Sequence, residues 1–135
     1  MVASDAKLAT EVGARILARG GNAVDAAIAT AFALAVVFPR AGNLGGGGFA
    51  LVTLHDQEPA ALDFRETAPA AATRGIFFGD PRAALVGHLA AGVPGSVAGL
   101  WALHERYSVL PWQDLLAPAV RLARVGFTVD ADLAE

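Results

Sequence analysis

The stretch AVDAAIATAFALAVVF, Ala23 to Phe38, carries one charge, Asp25, and one hydroxyl, Thr30. A helix that is apolar on nearly every side has no solvent face, so it needs neighbours around most of its circumference. Its alanines allow those neighbours to approach closely. Asn22 is placed to cap such a helix, and Asp25 puts a negative charge near the positive end of its dipole. Pro39 disfavours helical geometry in the residue before it and sets the end. The most apolar part, Ala26 to Phe38, is shorter than the ~20 residues that cross a bilayer. The segment is therefore expected to be an inner helix between protein layers.

Upstream, Leu8, Val12 and Ile16 recur every four residues and predict a helix over Ala6–Arg19. Ser4 or Asp5 is expected to cap it, and Gly20-Gly21 to end it through the left-handed C′ conformation. The two helices make a hairpin with an outer and an inner member. Downstream, Gly45 to Gly48 lead into the apolar run Phe49–Leu54, which reads as a strand covered on both faces. HDQEP supplies a polar turn, and Ala60–Glu66 reads as the returning strand. Alternation puts Leu62 and Phe64 on one face, Asp63 and Arg65 on the other. Ala68–Val86 is irregular, with weak helical potential at Ile76–Phe78. Ser96 is a plausible N-cap for a helix to about Tyr107, and Pro111 opens another through WQDLLAPAVRLARVG. Pro118 predicts a kink or break there, and Asp130–Glu135 begins a further helix. The element order implies layered α/β packing with an antiparallel sheet.

Composition narrows the function classes. The chain has 135 residues, one domain's length, with 55% hydrophobic and 17% charged residues. Average globular domains carry about 25% charged residues, so part of the apolar surface is expected to cover an interface. A net charge of −3 gives no basic footprint for nucleic acid. No cysteine is present, which excludes disulfides and thiolate chemistry. No basic n-region precedes a short apolar segment at Met1, so no signal peptide is visible.

Few residues suggest chemistry. A phosphate cradle needs strand, glycine loop, then helix, whereas the glycine run here sits between helix and strand and lacks Gly-Lys-Ser/Thr. The plainer reading is that these glycines let two backbones, or a backbone and a ligand, come close. His55, His88 and His104 have no metal-ligand spacing, and no metal or organic cofactor is implied. Ser96, in PGSVAG, has the wrong spacing for a nucleophile elbow. Arg65 remains, in ALDFRETAPAAATR. Its guanidinium suits a carboxylate through two parallel hydrogen bonds, which lysine cannot reproduce. The competing reading, favoured on composition alone, is a surface ion pair with Asp63 or Glu66. In an extended segment Asp63 is also placed to hold the guanidinium.

The blocks GGNAVDAA, GNLGGGGF, ALDFRETAP, GVPGSVAG and LPWQDLLAPAVRLARVGF, in that order, closely resemble the N-terminal part of the gamma-glutamyltransferase (glutathione hydrolase) family large subunit. The resemblance spans nearly the whole chain, so residues 1–135 are expected to be an incomplete domain. It implies an N-terminal nucleophile hydrolase fold, an αββα sandwich made by a self-cleaving precursor. It also implies a threonine nucleophile on a small subunit, which attacks the γ-glutamyl amide. Arg65 falls on the family arginine that binds the donor α-carboxylate. No catalytic residue is then expected within these 135 positions. The partners implied are the rest of the large subunit, the small subunit and a γ-glutamyl compound such as glutathione. Related amidases acting on β-lactam side chains or poly-γ-glutamate, and an inactive truncated remnant, are the alternatives. The family is commonly exported, so a periplasmic or extracellular setting is the expectation, with any export signal upstream of Met1. On this reading the chain alone is expected to be inactive, and poorly soluble or loosely packed. Layers lying elsewhere are expected to cover helix Asn22–Phe38 and strand Phe49–Leu54.

Overall fold

The computed structural model describes residues 1–55 and 57–134, the side chain of residue 132 excepted. Its order is α1 (Lys7–Ala18), α2 (Ala23–Val37), β1 (Phe49–Val52), β2 (Ala60–Asp63), α3 (Ser96–Tyr107), α4 (Trp112–Val125) and α5 (Ala131–Ala134). Two short 3₁₀ turns, Pro81–Ala84 and His88–Ala90, interrupt the irregular stretch between β2 and α3. Position 56 of the expected polar turn and position 135 of the expected last helix lie outside the described residues.

Helix α2 is the axis of the molecule, packed by α1, α3 and α4. Ile28, Ala29 and Ala33 are buried, together with Val12 and Ile16 of α1, Leu103 of α3 and Leu115 of α4. At the α1 crossing, a Cβ on Gly13 would collide with the side chain of Thr30. The Phe32 and Trp112 rings meet edge-on, with centroids 5.3 Å apart, a favoured aromatic geometry. The expectation that layers elsewhere must cover α2 is thus corrected: three helices of this chain already surround most of it.

Its N-terminus carries a full capping box. Asn22 Oδ1 accepts from the Val24 and Asp25 N–H groups, and the Asp25 carboxylate accepts the Asn22 N–H at 2.8 Å. Asp25 does more than meet the dipole. It is completely buried and also accepts the Val109 and Leu110 N–H groups at 3.3 and 3.4 Å. Asn22 Nδ2 in turn donates to the Tyr107 carbonyl at 2.6 Å. Two side chains thus satisfy the backbone at both the start of α2 and the α3–α4 connection.

Other expectations need local correction. Neither Ser4 nor Asp5 caps α1; its N-cap is Ala6, and the Ser4 hydroxyl donates to the Ala6 carbonyl instead. Gly20 does take the left-handed conformation after α1, at φ 91°. Helix α4 continues through Pro118 without a break. Leu115 and Ala119 on either side are buried, so packing holds the helix where proline removes one hydrogen bond. Asp130 Oδ1 accepts the Leu133 N–H and caps α5.

The sheet is one antiparallel pair, Phe49 opposite Asp63 through Val52 opposite Ala60. A further pair, the Phe64 N–H on the Gly48 carbonyl at 3.0 Å, extends it. Both strands are shorter than expected: β1 ends at Val52, opposite Ala60, and β2 ends at Asp63, after which Arg65 and Glu66 turn away from the ladder. Ala50, Val52 and Leu62 pack against the helical core. On the opposite face Phe49 is 67% and Leu51 87% exposed. The second face of β1, which was expected to be buried, is thus largely open among the described residues.

Two outcomes test this packing. Asp25→Ala leaves backbone donors at both tied segments without their acceptor, a loss of about 3 kcal/mol. It should accelerate amide exchange at Val109 and Leu110 and reduce helical circular dichroism. Unchanged exchange would show that these bonds do not hold the connection. The purified chain should bind a hydrophobic dye and self-associate through β1, and Leu51→Lys should weaken both. A monomeric parent chain that melts cooperatively would contradict this.

Candidate functional site

The glycine blocks and the Asp-Phe-Arg-Glu block converge on one peptide unit. Gly47 lies against the Phe64–Glu66 backbone so closely that an added Cβ would sit 2.6 Å from Arg65 Cα. A Cβ on Gly95 would likewise strike the Phe64 carbonyl, and one on Gly99 the Phe64 ring. Only hydrogen fits at these positions. The Phe64 ring is half-buried over Gly48 and Gly99, on the core side of the hairpin. The glycines serve close backbone approach, as the plainer sequence reading has it.

The two jaws are also bonded to each other. The Gly46 carbonyl accepts the Gly95 and Ser96 N–H groups at 2.8 and 3.0 Å. Asn43 Oδ1 accepts the Gly46 N–H at 3.0 Å and the Ser96 hydroxyl, while Asn43 Nδ2 donates to the Ala41 carbonyl at 3.3 Å. Ser96 is buried and is the first residue of α3, whose cap is Gly95 with no side-chain bond. Its expected capping role is therefore replaced by a bond to the glycine loop. Two amides at the start of α3 are thus taken by the Gly46 carbonyl.

Beyond this clamp the chain runs through Thr67, which pairs with Val93 by reciprocal backbone bonds of 3.2 and 2.8 Å. That bridge brings the two irregular segments together as walls of an open groove of about 540 Å³. Arg65, Thr67, Ile76, Phe77, His88 and Leu89 are among its lining residues. Arg65 is exposed, and its guanidinium carbon lies 5.9 Å from the centre of the Phe49 ring, within cation–π range.

Asp63 does not hold the guanidinium. Its Oδ1 accepts the Arg65 backbone N–H at 3.0 Å, an Asx-type turn that bends the chain out of the strand. Arg65 forms no ion pair with Asp63 or Glu66, or with any other carboxylate among the described residues. The geometry therefore does not follow the ion-pair reading. A second groove, about 460 Å³ between α1 and α4, also carries arginines. There Arg15 lies 4.0 Å from Glu11 and Arg19 3.5 Å from Asp114. Arg121 of that second groove likewise has no ion pair among the described residues, so what sets the Arg65 groove apart is the closely packed backbone beside its cation.

Sequence reasoning missed His88 as a neighbour of this groove, because only the Thr67–Val93 bridge brings its segment near. It also missed Asn43, whose Asx-like position before a glycine run was the available signal. Among the described residues no His, Cys, Asp or Glu cluster is placed for a metal ion, and no helix is long and apolar enough to cross a membrane.

Comparison with known proteins places this geometry. The gamma-glutamyltranspeptidase family profile matches residues 9–135. The chain is 52% identical to a glutathione hydrolase proenzyme of Pseudomonas aeruginosa, covering 95% of this chain and 24% of that protein. It is 49% identical to a glutathione hydrolase proenzyme of Escherichia coli, covering 100% of this chain and 24% of that one. The crystal structure of Helicobacter pylori gamma-glutamyltranspeptidase superposes with a TM-score of 0.95 at 47% identity, over 99% of this chain and 40% of that chain. The fold is thus that of part of a gamma-glutamyltranspeptidase, and the chain spans about a quarter of the length of these curated relatives. The protein belongs to the gamma-glutamyltranspeptidase family.

Proposed function

We propose that this chain supplies the donor-carboxylate contact of an enzyme that transfers or hydrolyses γ-glutamyl groups, with Arg65 as the contact. The observation that carries the reading is an exposed guanidinium with no carboxylate partner among the described residues, on backbone clamped by Gly47 and Gly95, at the edge of a groove. A planar fork offers two parallel donors to the α-carboxylate of a γ-glutamyl compound such as glutathione. Lysine offers a point charge and no matching fork.

The chemistry belongs to the assembled enzyme. A threonine at the N-terminus of a small subunit attacks the γ-carbonyl carbon, with its own α-amine as base. A C–O bond forms to the threonine and the C–N bond of the donor breaks, its amine leaving with a proton. Water or an acceptor amine then releases the glutamyl group. The αββα sandwich, self-cleavage of a precursor and pairing of this segment with the rest of the large subunit belong to the same reading. Asp63 supports Arg65 in it through the backbone, by fixing the bend from which the side chain leaves. A single clamped arginine anchors the donor end and leaves the attacking group to the other subunit.

The test exchanges residues 1–135 for the corresponding segment of the P. aeruginosa relative. Arg65→Lys in that enzyme should raise KM for a γ-glutamyl anilide roughly a hundredfold, as two charge-assisted bonds give way to one point charge. The change in kcat should be much smaller. An unchanged KM would remove Arg65 from the donor site.

A further inference from the structure

We propose that Ser96 and Asn43 are positioning residues for Arg65, and that their bond sets how firmly the enzyme holds the donor carboxylate. The inference rests on Arg65 being the carboxylate contact and adds the device that aims it. The Ser96 hydroxyl is buried and donates to Asn43 Oδ1, an oxygen that also accepts the Gly46 N–H. The Gly46 carbonyl in turn accepts the Gly95 and Ser96 N–H groups. One hydroxyl and one amide thus close a ring that joins the glycine loop to the first turn of α3.

That ring adjoins both jaws of the clamp. Gly47 follows Gly46 and lies against Arg65 Cα, while Gly95 precedes Ser96 and lies against the Phe64 and Arg65 carbonyls. Opening the ring frees Gly47 and Gly95 to move off the Phe64–Arg65 peptide, which then gains room to rotate. The guanidinium keeps its charge and its fork but loses a fixed origin. A misplaced fork forfeits the bidentate geometry before it forfeits attraction, so the loss falls on donor binding. The remaining fixings of this segment, the Asp63 turn, the Phe64–Gly48 pair, the Phe49 ring and the Thr67–Val93 bridge, act on neighbouring atoms and leave the Gly47 and Gly95 contacts to the ring.

The same exchanged full-length enzyme tests this with a double-mutant cycle on KM for a γ-glutamyl anilide. Ser96→Ala should raise KM about fivefold with kcat nearly unchanged, the size expected for one net hydrogen bond. Asn43→Ala, at an exposed position that leaves the core intact, should do the same. In an Arg65→Lys background neither alanine change should add to KM, because a residue acting through the guanidinium has nothing left to aim. If the alanine changes multiply KM equally in both backgrounds, or lower kcat alone, the positioning role is overturned while the Arg65 reading stands. If Arg65→Lys itself leaves KM unchanged, it is the Arg65 reading that fails. Should Ser96→Ala not mature, the Asn43→Ala arm decides by the same criteria.

Discussion

The Phe64–Arg65 peptide is packed closely by two stretches of chain that have no side chains at the contact, and the rest of the structure is arranged so that this is possible. Gly47 presses on it from the loop before β1, and Gly95 from the loop before α3. Backbone held by two such contacts has little freedom left to lose when a ligand arrives. A site whose cost of ordering is confined to one side chain binds more tightly than the same side chain on a free loop. The Arg65 side chain itself stays exposed, so its Cα is fixed while its guanidinium remains reachable.

The helices beneath provide the platform. Inner helix α2 makes three helical contacts and a buried capping network that reaches the α3–α4 connection. Because Asp25 and Asn22 fix that connection, the C-terminal end of α3 is tied to the start of α2. The N-terminal end of α3 is tied to the glycine loop through Gly46 and Asn43. A twelve-residue helix is thereby fastened at both ends, and the glycine on its first turn, Gly99, is delivered against the Phe64 ring. Hydrophobic burial sets the platform, but polar bonds at helix ends set where the clamp closes.

Much of the fold is legible in the sequence because its signals are local. The capping pair Asn22/Asp25, the all-round apolarity of α2, the stop at Gly20 and the hairpin each follow from neighbouring residues and appear as expected. The misses are those where distant contacts win. Pro118 does not break α4, since buried neighbours on both sides hold the helix straight through it. Ser96 leaves a capping role for Asn43, a residue 53 positions away, and no local pattern announces that choice. Asp63 illustrates a finer limit. Alternation correctly puts it on the Arg65 face, yet its carboxylate prefers the nearer backbone N–H to the guanidinium. Spacing specifies which groups share a face and leaves open which of them bond.

Arg65 and the uncovered face of β1 are physically one feature. The guanidinium lies over the Phe49 ring, and Phe49 and Leu51 form the exposed apolar surface of that strand. An ion pair formed here in open water has little strength, because solvent screens it and competes for both partners. A second protein layer packed on Phe49 and Leu51 would remove water from the same ring the guanidinium touches. The local dielectric would fall, and each hydrogen bond from the fork to a carboxylate would strengthen. The αββα arrangement proposed for the assembled enzyme supplies such a layer. On that arrangement, one packing event covers the apolar face and turns a weak surface cation into a selective carboxylate site, so assembly and donor recognition depend on the same strand.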